Sequence, residues 1–319
     1  MIYDCDVDEV KYILKSLKKH KAYGPNSVPT EILHLLADDI SKPLCSIFNL
    51  SFSNGQYPDI LKLAKTIPIF KKDSKLLVSN YRPISLLSNV NKILEKLMFN
   101  RVYQFLEKQK CIFNLQFGFR AKHSTNHALI EITETIRQSL DDRMVACGVF
   151  VDFQKAFDTV NHVVLTDKLK HYGIRGTANQ WFKSYLTLSL KSSKVNPFAD
   201  DTNLLNISKS PQKMQRHLNL DLRFLYNWLL ANKISLNCTK TEVILFKKPG
   251  HKTDFKYQIK INGHKIIPSE HIKYLGIYLD NTLSGRPHCE LLVKKLRRAN
   301  GMLSKIRHYV PASERISIY

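Results

Sequence analysis

Three aspartates stand where carboxylates could do chemistry. Asp152 ends the apolar run VFVDF, and Asp200 and Asp201 sit together in FADDTNLL, between short apolar stretches. Carboxylates brought from two strand ends to one point can hold two Mg²⁺ ions about 3.5–4 Å apart for in-line attack on phosphate. One ion would sharpen an attacking hydroxyl, and the other would stabilise the leaving oxygen. Adjacent aspartates also occur as Asp38-Asp39 and Asp141-Asp142, so the pair alone says little. Those two pairs fall at expected helix ends, where solvated or capping acids are the ordinary reading. Asp200-Asp201 falls where a tight turn could present both carboxylates. There, two neighbouring anions raise each other's pKa unless a cation neutralises them. From residue type and spacing alone, metal ligands and capping or surface acids both remain open.

The chain around these acids is strongly basic. It has 319 residues, with 49 Lys+Arg against 27 Asp+Glu, a formal charge of +22. That surplus points to a polyanionic partner, most simply nucleic acid. The excess is dispersed: Lys11 to Lys21 near the start, Lys62 to Lys75 around IPIF, and Lys294 to Arg307 near the end. Any one run reads as a solvated helix face. Recurrence in separate elements favours a groove that tracks a phosphate backbone. Six cysteines are scattered singly, without CxxC spacing, which argues against a zinc site or disulfide framework and for a reducing compartment. No apolar window is long enough for a membrane span, and the N-terminus lacks signal-peptide order, so an intracellular protein is expected.

The elements that must position the acids read as a mixture of helices and hairpins without regular βαβ alternation, an α+β chain. Asp6 and Glu9 suggest a capping box before a helix with Val10, Ile13, Leu14 and Leu17 on one face. A helix is expected from Thr30 past Leu36. TIPIFKKDSKLLVSNYRPISLL (66–87) predicts two strands around a basic turn. Helices come next, from Asn91 and from a cap at Thr125. MVACGVFVDF (144–153) predicts a buried strand, and NPFADDTNLLNI (196–207) a strand, turn and strand. Met214, Leu218, Leu222, Leu225 and Leu229 predict a long helix. TEVILF is a strand, YQIKINGHKII a hairpin turning at Asn262-Gly263, and YLGIYLD a further strand before a basic helix.

VFVDFQKAFDTV followed by FADDTNLL resembles the A and C motifs of reverse transcriptases of LINE-type (non-LTR) retrotransposons. KAYGPNSVP, IPIFKKDSKLLVSNYRPISLL, NKILEKL, QFGFRAKHST, ISLNCTKTEVILF and YLGIYLD stand in that family's order across almost the whole chain. The resemblance implies a right-hand polymerase with fingers and palm. It divides the chain into an N-terminal helical extension (1–65), fingers with part of the palm (66–143), the palm (144–250), and a primer-supporting hairpin with the start of a thumb (251–319). It assigns two Mg²⁺ ions to Asp152, Asp200 and Asp201, and an RNA template, a DNA primer and a dNTP as partners. Phe157 is similar to the aromatic that blocks a ribose 2′-hydroxyl. Lys71, Lys72, Arg82 and Arg120 match fingers positions near the triphosphate or template. Lys240 matches the basic residue of the D motif, and YLGIYLD the primer-supporting hairpin.

One family element is missing from this sequence. A B motif with a Pro-Gln-Gly core is expected between A and C, yet only 48 positions separate Asp152 from Asp200, and no Pro-Gln-Gly string occurs. NQWFKSYL is followed by TLSLKSSKVNPFADD, which predicts an internal deletion near 187–197 and an incomplete palm. Both ends also read as truncated. The expected function is a reverse transcriptase domain, ancestrally an RNA-directed DNA polymerase, that is now poorly active or inactive. The rivals are a non-catalytic nucleic-acid-binding relic, a non-functional copy and, further off, a metal-dependent nuclease.

Overall fold

A computed structural model describes residues 2–25, 27–71, 74–153, 160–187, 202–238, 240–248, 255 and 257–306. These form nine α-helices and nine strands, the mixed α+β content expected. They group into two compact units. One is drawn from Met1–Gln116, Lys155–Phe198 and Asn232–Ile234, the other from Phe117–Gln154, Ala199–Ala231 and Ser235–Tyr319.

In the first unit, helices α1 (Val7–Ser16), α2 (Thr30–Leu35), α3 (Ala37–Asn54), α4 (Asn89–Lys108), α6 (His162–His171) and α7 (Gly176–Leu186) accompany one hairpin. The capping box is half realised. Asp6 accepts from the Glu9 amide, but the Glu9 carboxylate turns to Arg101 of α4 instead of back to the cap. The helix expected to run past Leu36 breaks there, and α3 begins at Ala37 with Asp38 paired to Lys11 and Lys15. Val10, Leu14, Phe48, Phe52, Leu94, Leu97 and Trp181 form the core, with the Trp181 indole donating to Ser51 Oγ at 3.0 Å. Cys5 and Cys45, far apart in sequence, meet in this core with sulfurs 3.8 Å apart. Burial, reinforced by Cys45, pushes the Cys5 thiol up to about 12, which keeps it protonated and inert.

Strands β1 (Lys65–Phe70) and β2 (Tyr81–Leu86) pair antiparallel, as the sequence predicts. Gly24 of KAYGPNSVP passes directly over the end of this hairpin. A Cβ there would lie 2.2 Å from the Leu86 carbonyl oxygen, so the position admits no side chain.

The second unit is built on a three-stranded antiparallel sheet. Strand β3 (Val145–Val151) lies between β4 (Thr202–Ser208) and β5 (Glu242–Phe246). Ala146 and Phe150 face α5 (Thr125–Asp141) and the hairpin of β8 (His271–Tyr274) and β9 (Ile277–Asp280). Cys147, Val149 and Val151 face α8 (Pro211–Ala231) and the hairpin of β6 (Ile259–Ile261) and β7 (His264–Ile266). Both faces are covered, which is why β3 reads as a continuous apolar run rather than an alternation. The cap of α5 is Ser124, one residue before the expected Thr125. YLGIYLD is not one strand. It turns at Leu275-Gly276, both with positive φ, so its two halves belong to β8 and β9. A strand reading from alternation alone could not see that turn, because Leu at a positive φ is an unusual turn residue.

Asp280 closes β9 onto helix α9 (Arg286–Ile306). Burial disfavours its charge, but hydrogen bonds from the Thr282 hydroxyl and the Ser284 and Gly285 amides outweigh it and bring the pKa down to about 2. A carboxylate whose pKa falls on folding stabilises the fold above its unfolded value, and that contribution is lost as pH drops through the folded value. We therefore expect stability to fall between about pH 4 and pH 2, by roughly 2 kcal/mol from this group. Urea unfolding across that window should show the loss in the parent chain and a flatter profile in Asp280→Asn.

Candidate active site

Strand β3 delivers Asp152 to the end of the sheet. Its register with β4 runs from Val145↔Ser208 to Val151↔Thr202, so the ladder ends one residue before Asp152 and begins one residue after Asp201 in sequence. Beyond the sheet, Phe153 bridges to Leu236, which brings the turn before β5 alongside Asp152. Asn237 in that turn donates its backbone N–H to the Asp152 carbonyl at 2.9 Å and its amide to Asp152 Oδ2 at 3.2 Å. The Lys240 ammonium lies 3.8 Å from the same oxygen. The Asp152 side chain is 32% exposed, Lys240 is 65% exposed, and both open to solvent.

Of the residues singled out from the sequence, Asp152 and Lys240 are therefore brought together. Arg120 lies in the same unit, half-buried in the loop before α5. Lys71 and Arg82 lie in the first unit, on the β1–β2 hairpin. Ile69 opposes Arg82, and the Lys71 amide continues the ladder to the Asn80 carbonyl at 2.8 Å. The period-two pleat thus puts Lys71 and Arg82 on one face, while Phe70 and Tyr81 pack edge-on at 5.5 Å on the other. Both basic residues are exposed. Asp200, Asp201, Phe157 and Lys72 lie outside the described residues, as does the junction expected near 187–197 apart from Thr187.

Asn237 escaped the sequence reading. Its signal was present in ISLNCTKTE, since an Asn three residues before Lys240 is a turn former whose backbone and amide can organise the next few residues. The Asn237 carbonyl accepts from Lys240 N, Thr241 N and Thr241 Oγ1, so the turn is wound around it.

The implied Mg²⁺ ions can be tested against these donors. Among the described residues no group of three or more His, Cys, Asp or Glu could hold a metal. Asp152 nonetheless suits one. Its carboxylate is a hard oxygen donor, and Oδ1 accepts no hydrogen bond from the described residues. Asp152 therefore fits as one ligand of a set whose other members would be Asp200 and Asp201.

Comparison with known proteins gives consistent matches. Residues 69–197 match the family described as reverse transcriptase (RNA-dependent DNA polymerase). The chain is 27% identical to the RNA-directed DNA polymerase from mobile element jockey of Drosophila melanogaster, over 88% of this chain and 36% of that protein. It is 26% identical to the jockey polymerase of Drosophila funebris, over 98% of this chain and 39% of that protein. It is 23% identical to the Pol polyprotein from type-1 retrotransposable element R1 of Bradysia coprophila, over 95% and 34%. The chain thus spans well under half of each relative. The alignments are also longer than the stretch of this chain they use. The first covers 334 positions with about 281 residues of this chain, and the second 365 with about 313, so some 50 positions of each relative face no residue. Residues 69–197 thus carry a reverse transcriptase domain, and the chain along most of its length is similar to the polymerases of LINE-type, non-LTR retrotransposons.

Proposed function

We propose that the chain is the fingers and an incomplete palm of an RNA-directed DNA polymerase, with the palm in the second unit and Asp152, Asp200 and Asp201 at its centre. The observation that carries this reading is the β3–β4 register. Val151 opposes Thr202, so the strand leading to Asp152 and the strand leaving Asp201 share one sheet end, with Lys240 beside Asp152. Asp152, Asp200 and Asp201 would hold two Mg²⁺ ions, which supply Lewis-acid activation of a primer 3′-hydroxyl and stabilise the leaving oxygen. Lys240, a mobile point charge, meets the phosphates of the incoming dNTP. Lys71, Lys72 and Arg82 on the hairpin and Arg120 before α5 offer phosphate contacts, with arginine able to make a bidentate fork. Phe157 limits the space at the sugar 2′ position. The primer rests on the β8–β9 hairpin.

In this reading the B motif has been lost between about Leu186 and Phe198. The unmatched positions of the jockey relatives support a loss of about 50 residues. The family match supports its location, since it stops at residue 197, just short of FADD. Strand β4 supports the consequence. Leu204, Leu205 and Ile207 are only half-buried, whereas β3 beside it is buried along nearly its whole length.

The binding half of this proposal has a direct test. The +22 chain should bind a primed RNA template with weak sequence dependence. Its log affinity should fall against log salt with a slope of about −4 or steeper, as four or more phosphates release counterions. Fluorescence anisotropy with a labelled RNA–DNA hybrid measures the slope. No binding at low salt by folded protein, or an affinity indifferent to salt, would defeat the reading.

A further inference from the structure

The turn 237–241 does more than carry Lys240. Asn237 grips Asp152 twice, by main chain (N–H to carbonyl, 2.9 Å) and by side chain (Nδ2 to Oδ2, 3.2 Å). On its other side its carbonyl takes the Lys240 amide at 3.2 Å, the Thr241 amide at 3.0 Å and the Thr241 hydroxyl at 2.9 Å. Thr241 is itself buried and immediately precedes β5, so the turn is tied to the sheet. One asparagine therefore links the acid at the end of β3 to the base three residues along the turn.

We infer that Asn237 is a positioning residue that sets the orientation of the Asp152 carboxylate and holds the Lys240 turn against it, a role that rests on the proposed assignment of Asp152 as a metal ligand. The chemistry favours a neutral amide for this task. Asn237 and Lys240 both address Oδ2, while Oδ1 receives no hydrogen bond from the described residues. An amide donor orients an anion without cancelling its charge, so Asp152 keeps the charge with which it would attract a divalent cation. Partners of this kind, standing behind a ligand, commonly change metal affinity by about 10- to 100-fold when removed. The strand bridge Phe153↔Leu236 supplies the backbone frame but cannot choose a carboxylate rotamer.

The test uses the full chain and Mn²⁺ alone, followed through the paramagnetic resonance signal of the free ion. The Asp152-dependent binding is the part lost in Asp152→Asn. Asn237→Leu, close in size but without a donor, should weaken that part by about tenfold or more. Asn237→Ser keeps the main-chain bond to Asp152 but is too short to reach Oδ2, so it should lose affinity similarly, and it carries the measurement if the leucine variant fails to fold. Loss of affinity in variants whose melting temperature stays close to the parent's supports positioning, because a purely structural role would lower melting and leave the folded protein's affinity intact. Parent-like Mn²⁺ affinity in a folded variant overturns the inference while leaving the Asp152 assignment standing. If the parent binds no Mn²⁺, or Asp152→Asn binds as the parent does, the Asp152 assignment falls and this inference with it.

Discussion

Primer extension on an RNA template is expected to stay at background for the 319-residue chain in Mg²⁺, and to rise by about a hundredfold or more once a family B segment is inserted between Leu186 and Phe198. The reason is positional. A 3′-hydroxyl must sit within about 3–3.5 Å of the α-phosphate and in line with the leaving oxygen, and a misplacement of about 1 Å can cost a factor near 100. By resemblance, the absent segment braces the template base and the nucleotide sugar. The proposed metal ligands and phosphate-contacting bases would not replace that brace, because none of those roles addresses the base pair. In the repaired chain, Asp152→Asn should return extension to background. Robust extension by the unmodified chain, abolished by Asp200→Ala, would show that the gap carries no functional cost.

The second large effect concerns stability. Among the described residues of the first unit, Arg101 is the most completely buried charged side chain, with none of its side chain exposed. Its guanidinium takes the Glu9 carboxylate bidentately at 3.1 and 2.9 Å and donates to the Tyr3 and Leu97 carbonyls. The Tyr3 and Phe52 rings lie over it at 4.4 and 5.3 Å. Glu9→Ala would leave that charge in the core without its counter-ion, at a cost of about 3 kcal/mol or more. Against a typical total of about 5–15 kcal/mol, the urea midpoint followed by circular dichroism should move well below the parent's. Replacing both partners with methionine should recover much of the loss, since a buried pair can be exchanged for apolar residues of similar size at little cost. A parent-like midpoint for Glu9→Ala would mean that water or the two carbonyls already satisfy Arg101.

Parts of the fold were plain from local pattern. The A-type strand, the long helix with Met214, Leu218, Leu222 and Leu229, and the Asn262-Gly263 hairpin are all present where periodicity and turn chemistry put them. The misses share one cause, which is that short-range pattern competes with partners it cannot see. Glu9 leaves its own helix cap because Arg101, 92 residues away, offers two charge-assisted bonds in a buried site. YLGIYLD folds back because Leu275 accepts a positive φ that its residue type disfavours.

For the site, the sequence by itself carried the resemblance to a family, the candidate acids and bases, and the charge that suits a polyanion. Motif order and composition are one-dimensional properties, and they need no folding to be read. What only the tertiary structure decided is which of these groups share a place. Pairing of β3 with β5 and the bridge from Phe153 to Leu236 set Lys240 beside Asp152 across 88 positions of chain, with Asn237 clamped between them. The same long-range packing brought Cys5 to Cys45 and Glu9 to Arg101. Such neighbours depend on sheet register and side-chain packing, which are set by the buried surface of the whole unit and leave no periodic trace in the residues that meet.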